Sequence, residues 1–492
     1  MNRAKSETRR ARIVCTIGPA TQSKEGIRKL VEAGMNVARL NFSHGDHDTH
    51  EEVYNRIREV SEELHQPVAI LQDLQGPKIR VGKIADGSVM LKDGSTFTLT
   101  TDEVIGDETR ASISYRDLPR DVEVGERILL DDGLLELRIT EVTGNSVVTE
   151  VVIGGELKDR KGVNLPNTAI SQPSLTRKDR EDLEFGVKLG VDYIALSFVR
   201  SGLDIHQLRC YLPTGKDSPH IIAKIEKPQA IDNIDEIIHA ADGIMIARGD
   251  LGVEMPPERV PLLQKEIIQE ANSRGKLTIT ATQMLESMTF NARPTRAEAS
   301  DVANAVLDGT DAVMLSGETA TGDYPNEAVK MMARIIVQAE TVRAARTNVR
   351  PSDQPKRIDG PRAIARAAQV AAKELSLPVL ACFTVSGLTP RLIKSYRPKR
   401  RILAFTPEVT TWRRMALYWG VEPILTPALF ETTELLKKVE DTVLELRYAE
   451  RGQSVLVVLG HPAGHGSPTN MIKLHRIGET EEYDGNHEPA DN

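Results

Sequence analysis

One five-residue stretch, Ala223 to Lys227, reads Ala-Lys-Ile-Glu-Lys at the end of an apolar run. Alternate residues of a strand point the same way, so Lys224 and Glu226 share a face. A lysine and a glutamate on a buried strand must be paired or must work. As a structural pair they serve only the fold; as a working pair they set a cation beside a carboxylate able to hold a metal. Asp250 supplies a second carboxylate at the end of the next run, 243–250, and Gly249 before it lets the backbone come close to a ligand. Two carboxylates on neighbouring strand ends suit Mg²⁺ (or Mn²⁺), a hard ion that takes one or two protein carboxylates with substrate oxygens. There is no His/Cys cluster for zinc. His44, after Ser43, reads as a polar loop residue on spacing alone. These features predict a Mg²⁺-dependent enzyme acting on a phosphorylated or carboxylated small molecule, and leave the reaction open.

Such groups need a scaffold that delivers them to one place. Eight short apolar runs recur, at 12–18, 36–42, 67–73, 192–198, 220–226, 243–250, 277–283 and 312–318. Strands so uniformly apolar are expected where both faces are covered, as in parallel sheets. Amphipathic helical patterns lie at 23–34, 49–65, 179–190, 231–241, 260–275, 296–309 and 327–342. The alternation predicts an α/β fold, a (β/α)₈ TIM barrel, with an open doubly wound sheet as the alternative. Barrel chemistry sits where strands end. Those ends carry Thr16, Arg39 and Asn41, Asp73, Ser197, Thr282 and Gln283, and Ser316 and Glu318.

The interval 77–173 alternates differently, with short β-patterned runs between Asp-Gly, Gly-Asn and Gly-Gly turns. It reads as an all-β insert leaving after Asp73, placed to close as a lid. From about 348 a polar linker leads into a further α/β alternation. The expected division is a barrel of 1–76 and 174–347, a lid of 77–173 and a C-terminal α/β domain of 348–492. The acidic tail 479–492 and the Gly-rich loop 460–470 belong to the last.

Composition narrows the classes of partner. The 492 residues are 40% hydrophobic and 27% charged, ordinary for globular domains. A net charge of −8 does not suggest nucleic acid. Cys15, Cys210 and Cys382 are odd in number, widely spaced and without a CxxC, which predicts no disulfide framework and a reducing cytoplasm. The basic start lacks the apolar run of a signal peptide. No apolar run reaches the roughly 18 residues of a membrane helix.

The longer motifs are more specific. HIIAKIEKPQAI, MIARGDLGVE, TATQMLES, PTRAEASDVANAVLDG and VMLSGETATGDYP occur in that order, with CTIGPAT and GMNVARLNFSHG before them. RKGVNLP lies in the insert and VSGLTPRLIKSYRP near the end. From about residue 9 onward the chain resembles pyruvate kinase. The resemblance implies phosphoryl transfer from phosphoenolpyruvate to ADP, giving pyruvate and ATP, the last step of glycolysis. Glu226 and Asp250 would hold Mg²⁺. Lys224 and Arg39 would face the transferring phosphoryl group. Thr282, with Ser316 and Glu318, would serve enolate protonation. Ala247, Gly249, Asp250, Thr282 and Ser197 would receive the substrate, and Arg80, His44, Lys161 and Asn41 the nucleotide.

In the last domain, Thr384, Ser386 and Thr389 match a loop that binds a phosphorylated effector in allosteric relatives. Val385 and Leu388 replace hydroxyl residues of bisphosphate-binding relatives, which leaves a monophosphate open. Relatives that need K⁺ hold it at positions matching Asn41, Ser43 and Asp73 and at a threonine. Here that threonine is Leu74, and a nearby glutamate is Lys78. The exchange predicts activity without K⁺. A homotetramer is also implied. Two rival readings remain on the residues: an aldolase forming a Schiff base on Lys224, and an inactive metabolite sensor.

Overall fold

A computed structural model describes residues 9–166, 168, 170–345, 359–462 and 467–478. Eight parallel strands close into a barrel: β1 (Arg12–Thr16), β2 (Val37–Asn41), β3 (Ala69–Asp73), β4 (Tyr193–Leu196), β5 (His220–Ile225), β6 (Gly243–Ala247), β7 (Leu277–Ala281) and β8 (Ala312–Leu315). They neighbour one another in chain order, and β8 pairs with β1 to close the ring. Each predicted run forms one of these strands, and the open-sheet alternative falls. The apolar runs exist because each strand faces inward side chains on one side and the helix ring on the other.

Several predicted boundaries move. The run 243–250 is strand only to Ala247; Arg248–Glu254 forms a short helix, so Asp250 sits in a first helical turn. The helical pattern 231–241 divides at Asn233 into Pro228–Asp232 and Ile234–Ala240. A helix at Gly202–Cys210 was not legible, because its apolar residues form only a weak stripe.

The insert folds as two sheets. One pairs Ser88–Leu91 with Gly155–Lys158; the other has six strands between residues 96 and 164. A short helix, Leu118–Asp121, connects two strands of the six-stranded sheet, Arg110–Ser112 and Arg127–Leu130. The chain leaves the barrel through Gly76, whose backbone has φ +69° and lies so near Phe198 that a Cβ would stand 2.7 Å from the ring. Only glycine suits that turn. Asp179 Oδ1 then accepts the Gly76 N–H at 3.0 Å and fixes the exit.

The C-terminal sheet has five strands in the order Val421–Leu425, Arg401–Thr406, Val379–Phe383, Ser454–Leu459, Met471–Arg476. The first and last are edge strands not expected from the sequence; Met471–Arg476 runs antiparallel. The linker residues 346–358, loop residues 463–466 and the tail from 479 lie outside the described residues.

Candidate active site

Strand β5 delivers Lys224, and Glu226 follows just past its end. The expected shared face is real: Lys224 Nζ stands 2.8 Å from Glu226 Oε1. The ammonium also lies 3.4 Å from Asp73 Oδ1 and donates to Ser197 Oγ at 2.8 Å. Only 12% of the Lys224 side chain is exposed. Burial alone would favour the neutral amine. The carboxylates of Asp73, Glu226 and Asp250 outweigh it and raise the pKa above the ordinary lysine value. Lys224 is therefore a fixed cation. A Schiff-base lysine needs the opposite, a depressed pKa, so the geometry argues against the aldolase reading.

The carboxylates divide the work. Asp73, at the end of β3, accepts Arg39 Nε at 2.6 Å through Oδ2. Burial opposes its charge, but Lys224 and Arg39 prevail and lower its pKa. Glu226 takes the Phe198 N–H on Oε2 at 2.8 Å. Burial, reinforced by Asp250, raises its pKa despite Lys224. Asp250 lines an open cleft with Lys78, Arg200 and Lys227, and its carboxylate makes no hydrogen bond or ion pair among the described residues. A free carboxylate beside a buried one whose charge it disfavours fits a hard divalent cation. No group of three or more metal-type ligands occurs among the described residues.

Thr282 follows β7 with φ +64°, a strained setting for a β-branched residue. Arg248 holds it there, with Nη2 donating to the Thr282 carbonyl at 2.7 Å and Nε to that of Ala281 at 3.2 Å. The Thr282 hydroxyl accepts the Gly249 N–H at 2.7 Å and donates to Ala281 O at 2.7 Å. Gly249 thus meets Thr282 where β6 becomes helix. Glu318 is buried, which raises its pKa, and it accepts the N–H groups of Leu285 and Ser316. Both its oxygens are engaged in shaping the loops after β7 and β8. Ser197 is likewise occupied: it donates to Leu74 O at 2.7 Å while receiving Lys224.

The remaining expected residues are brought together unevenly. Arg80 pairs across an isolated bridge with Gly162, which sets Lys161 beside it, and Lys161 Nζ lies 2.9 Å from Asp131. Asn41 ends β2 opposite Asp73, and Ser43 and His44 follow in a tight loop; Asn41 Oδ1 accepts the Ser43 N–H at 3.2 Å. Leu74 is buried and apolar. Lys78 lines the cleft with Asp250. Desolvation there, then repulsion from Arg80, lowers its pKa, while Asp250 pulls the other way. Its ammonium makes no hydrogen bond or ion pair to Asp73, Asn41 or Ser43 among the described residues. In the C-terminal sheet, Thr384 Oγ1 accepts the Gly387 N–H at 2.8 Å. Thr389 and Thr469 hydroxyls meet at 2.6 Å, so the loop ending at 470 does face this turn. Ser386 is exposed.

The cleft also contains residues that the sequence reading passed over: Phe198, Arg200, Lys227, Asn164 and Gln172. Arg200 donates to the Gln172 carbonyl at 3.0 Å and to that of Ile170, pinning the chain where it returns from the insert. The clue was the second lysine in Ala-Lys-Ile-Glu-Lys.

A family model described as pyruvate kinase, barrel domain, matches residues 8–329, and one described as pyruvate kinase, alpha/beta domain, matches residues 362–475. A pyruvate kinase of Staphylococcus saprophyticus is 47% identical over 476 residues, covering 96% of this chain and 81% of that protein. One of Staphylococcus aureus is 46% identical over 475 residues, with the same coverage, 96% and 81%. The crystal structure of a pyruvate kinase from Cryptosporidium parvum superposes with a TM-score of 0.88 at 38% identity, covering 95% of this chain and 96% of that one. With the closed barrel and the Lys224 cluster already in view, these matches lead to one conclusion: the chain belongs to the pyruvate kinase family and is an enzyme of that kind.

Proposed function

We propose that this enzyme transfers the phosphoryl group of phosphoenolpyruvate to ADP at the mouth of the barrel, with Glu226 and Asp250 holding Mg²⁺ or Mn²⁺. The observation behind this reading is the permanently charged Lys224 between Asp73 and Glu226, with the open carboxylate of Asp250 facing the cleft. Phosphoryl transfer asks mainly for positioning and neutralised charge. When bound, the divalent ion supplies that neutralisation for the phosphate oxygens. Lys224 and Arg39 add fixed positive charge, for the moving phosphoryl group and for the enolate oxygen left behind. Their own directions are set by Asp73 and Ser197. The backbone around Ala247, Gly249 and Asp250 receives the substrate carboxylate at a helix start, the Gly249 N–H exchanging the Thr282 hydroxyl for it. Thr282 stands on the proton side, with Ser316 and Glu318 supporting the neighbouring loops.

The nucleotide is proposed to lie between Arg80, Lys161, His44 and Asn41, under an insert (77–173) that acts as a lid on a barrel of 1–76 and 174–347. The domain 348–492 would bind a phosphorylated metabolite at Thr384, Ser386 and Thr389 and would join subunits into a homotetramer. K⁺ is proposed to be dispensable, because Leu74 offers no side-chain oxygen and Lys78 adds a cation at the same mouth. No described helix is long and apolar enough to cross a membrane. Three unpaired cysteines accord with a proposed place in a reducing cytoplasm.

Mn²⁺ binding, followed by electron paramagnetic resonance, tests the metal assignment. Glu226→Gln and Asp250→Asn should each abolish the tight site. Unchanged affinity in both variants would refute it.

A further inference from the structure

The turn 131–133 lies over the helix Arg248–Glu254; a Cβ on Gly133 would stand 3.5 Å from Val253. Beside it, Asn164 Nδ2 donates to Glu254 Oε1 at 2.8 Å. The same oxygen receives Lys227 Nζ at 2.5 Å. The two charged side chains are only 7% and 1% exposed, Lys227 and Glu254 respectively. Glu254 Oε2 has no hydrogen-bond partner. Lys227 in turn lies over the Phe198 ring, 5.8 Å from its centre, and Phe198 is the residue whose N–H holds Glu226. Other polar contacts of this seam are Arg200 to the carbonyls of Gln172, at 3.0 Å, and Ile170, and Gln229 to the Thr168 carbonyl, long at 3.4 Å.

One buried carboxylate therefore ties three segments: the loop after Glu226, the helix Arg248–Glu254 that carries Asp250, and the strand Val163–Asn164 of the insert. Its charge is already matched by Lys227, so taking a further N–H from the insert costs little extra desolvation. A charge-assisted bond of this kind is stronger than one between neutral groups.

We propose that Glu254 is a positioning residue, a latch that fastens the insert across the cleft through Asn164 while holding Lys227 over Phe198. Glu254 touches no reacting atom in this account. It sets where the insert, and with it Lys161, comes to rest. Only the kinetic part of the test below rests on the reading that the nucleotide occupies this cleft.

Glu254→Gln alone strips a buried lysine of its counter-charge, so the leading variant is Asn164→Asp, at a half-exposed position. It sets carboxylate against carboxylate. Spin labels at Lys92→Cys and Glu266→Cys, in a Cys210→Ser background, report the distance from insert to barrel. The latch predicts one narrow distance population in the parent, broadened by Asn164→Asp and narrowed again when Glu254→Gln is added. The double variant regains a donor facing a carboxylate. Asn164→Leu, which adds no charge, should broaden the distribution less. The KM for ADP should rise about tenfold in Asn164→Asp, the size of one lost charged hydrogen bond. kcat should change less than KM, and the melting temperature should stay near the parent's. An unchanged distance distribution in Asn164→Asp, or no recovery in the double variant, overturns the latch. A broadened distribution with an unmoved KM for ADP supports the latch and removes the nucleotide from the cleft.

Discussion

At the scale of single residues, the site is an exercise in keeping one lysine charged. Lys224 is buried, yet three carboxylates hold its proton. Replacing it by glutamine removes the fixed charge that is proposed to face the transferred group. Loss of one such preorganised group typically costs 10²–10³ in turnover, and Lys224→Gln should fall at or beyond the upper end, about a thousandfold in kcat. A coupled steady-state assay checks this, and a loss below tenfold would be too small for the assigned role. Lys78 tests a different point. Its ammonium lines the cleft with Asp250 rather than pairing with Asp73, whose partners are Arg39 and Lys224. If it substitutes for a monovalent cation, it does so through charge at the mouth. Activity in tetramethylammonium buffer should then be indifferent to added K⁺, and Lys78→Glu should create a K⁺ requirement. The spacing of Lys224 and Glu226 was legible because strand geometry is local. The partners of Asp73 and the strain at Thr282 were not, since both depend on chains that meet only after folding.

Single elements show how one strand serves two ends of the barrel. β5 ends in the Lys224 cluster and begins at the half-buried His220, beside Tyr193 on β4. Burial lowers the His220 pKa to about 4; Asp242 opposes this, while Arg414, Arg391 and Arg209 add to it. The histidine is thus neutral in the fold. The unfolded chain binds the extra proton between the ordinary value of 6.5 and about 4. Stability from this residue is complete above pH 6.5 and is lost as pH falls through that window. Between pH 7 and pH 5 the loss should be about 2 kcal/mol. Urea melts at the two pH values would show it, and His220→Asn should flatten the difference. A wild-type stability that did not fall toward pH 5 would contradict the assignment. The eight barrel strands could be read in advance because both faces of each are covered. The helix Gly202–Cys210 and the edge strands Val421–Leu425 and Met471–Arg476 lack such patterning, and tertiary contacts decide them.

For the whole molecule, the joint between barrel and C-terminal sheet centres on Asp311, just before β8. Lys394 Nζ lies 2.5 Å from Asp311 Oδ2 and Arg397 2.9 Å from Oδ1, with Asp311 and Lys394 wholly buried. Asp311 also accepts the Thr278 N–H of β7. Asp311→Asn would leave two buried cations without a counter-charge, at a cost of about 3–5 kcal/mol. Calorimetry would register the lower melting temperature, and an unshifted transition would show that the joint is held elsewhere. Three-part organisation was visible in the sequence as three kinds of periodicity, but this joint was not, because its charges lie far apart in the chain. The central claim concerns the whole assembly of loops at the barrel mouth. Its most direct test is a turnover assay with phosphoenolpyruvate, ADP and Mg²⁺ in buffer free of K⁺. The account predicts pyruvate and ATP in equal amounts from the wild type, with Lys224→Gln nearly silent. No pyruvate from the wild type, with any divalent ion and with or without K⁺, would contradict it.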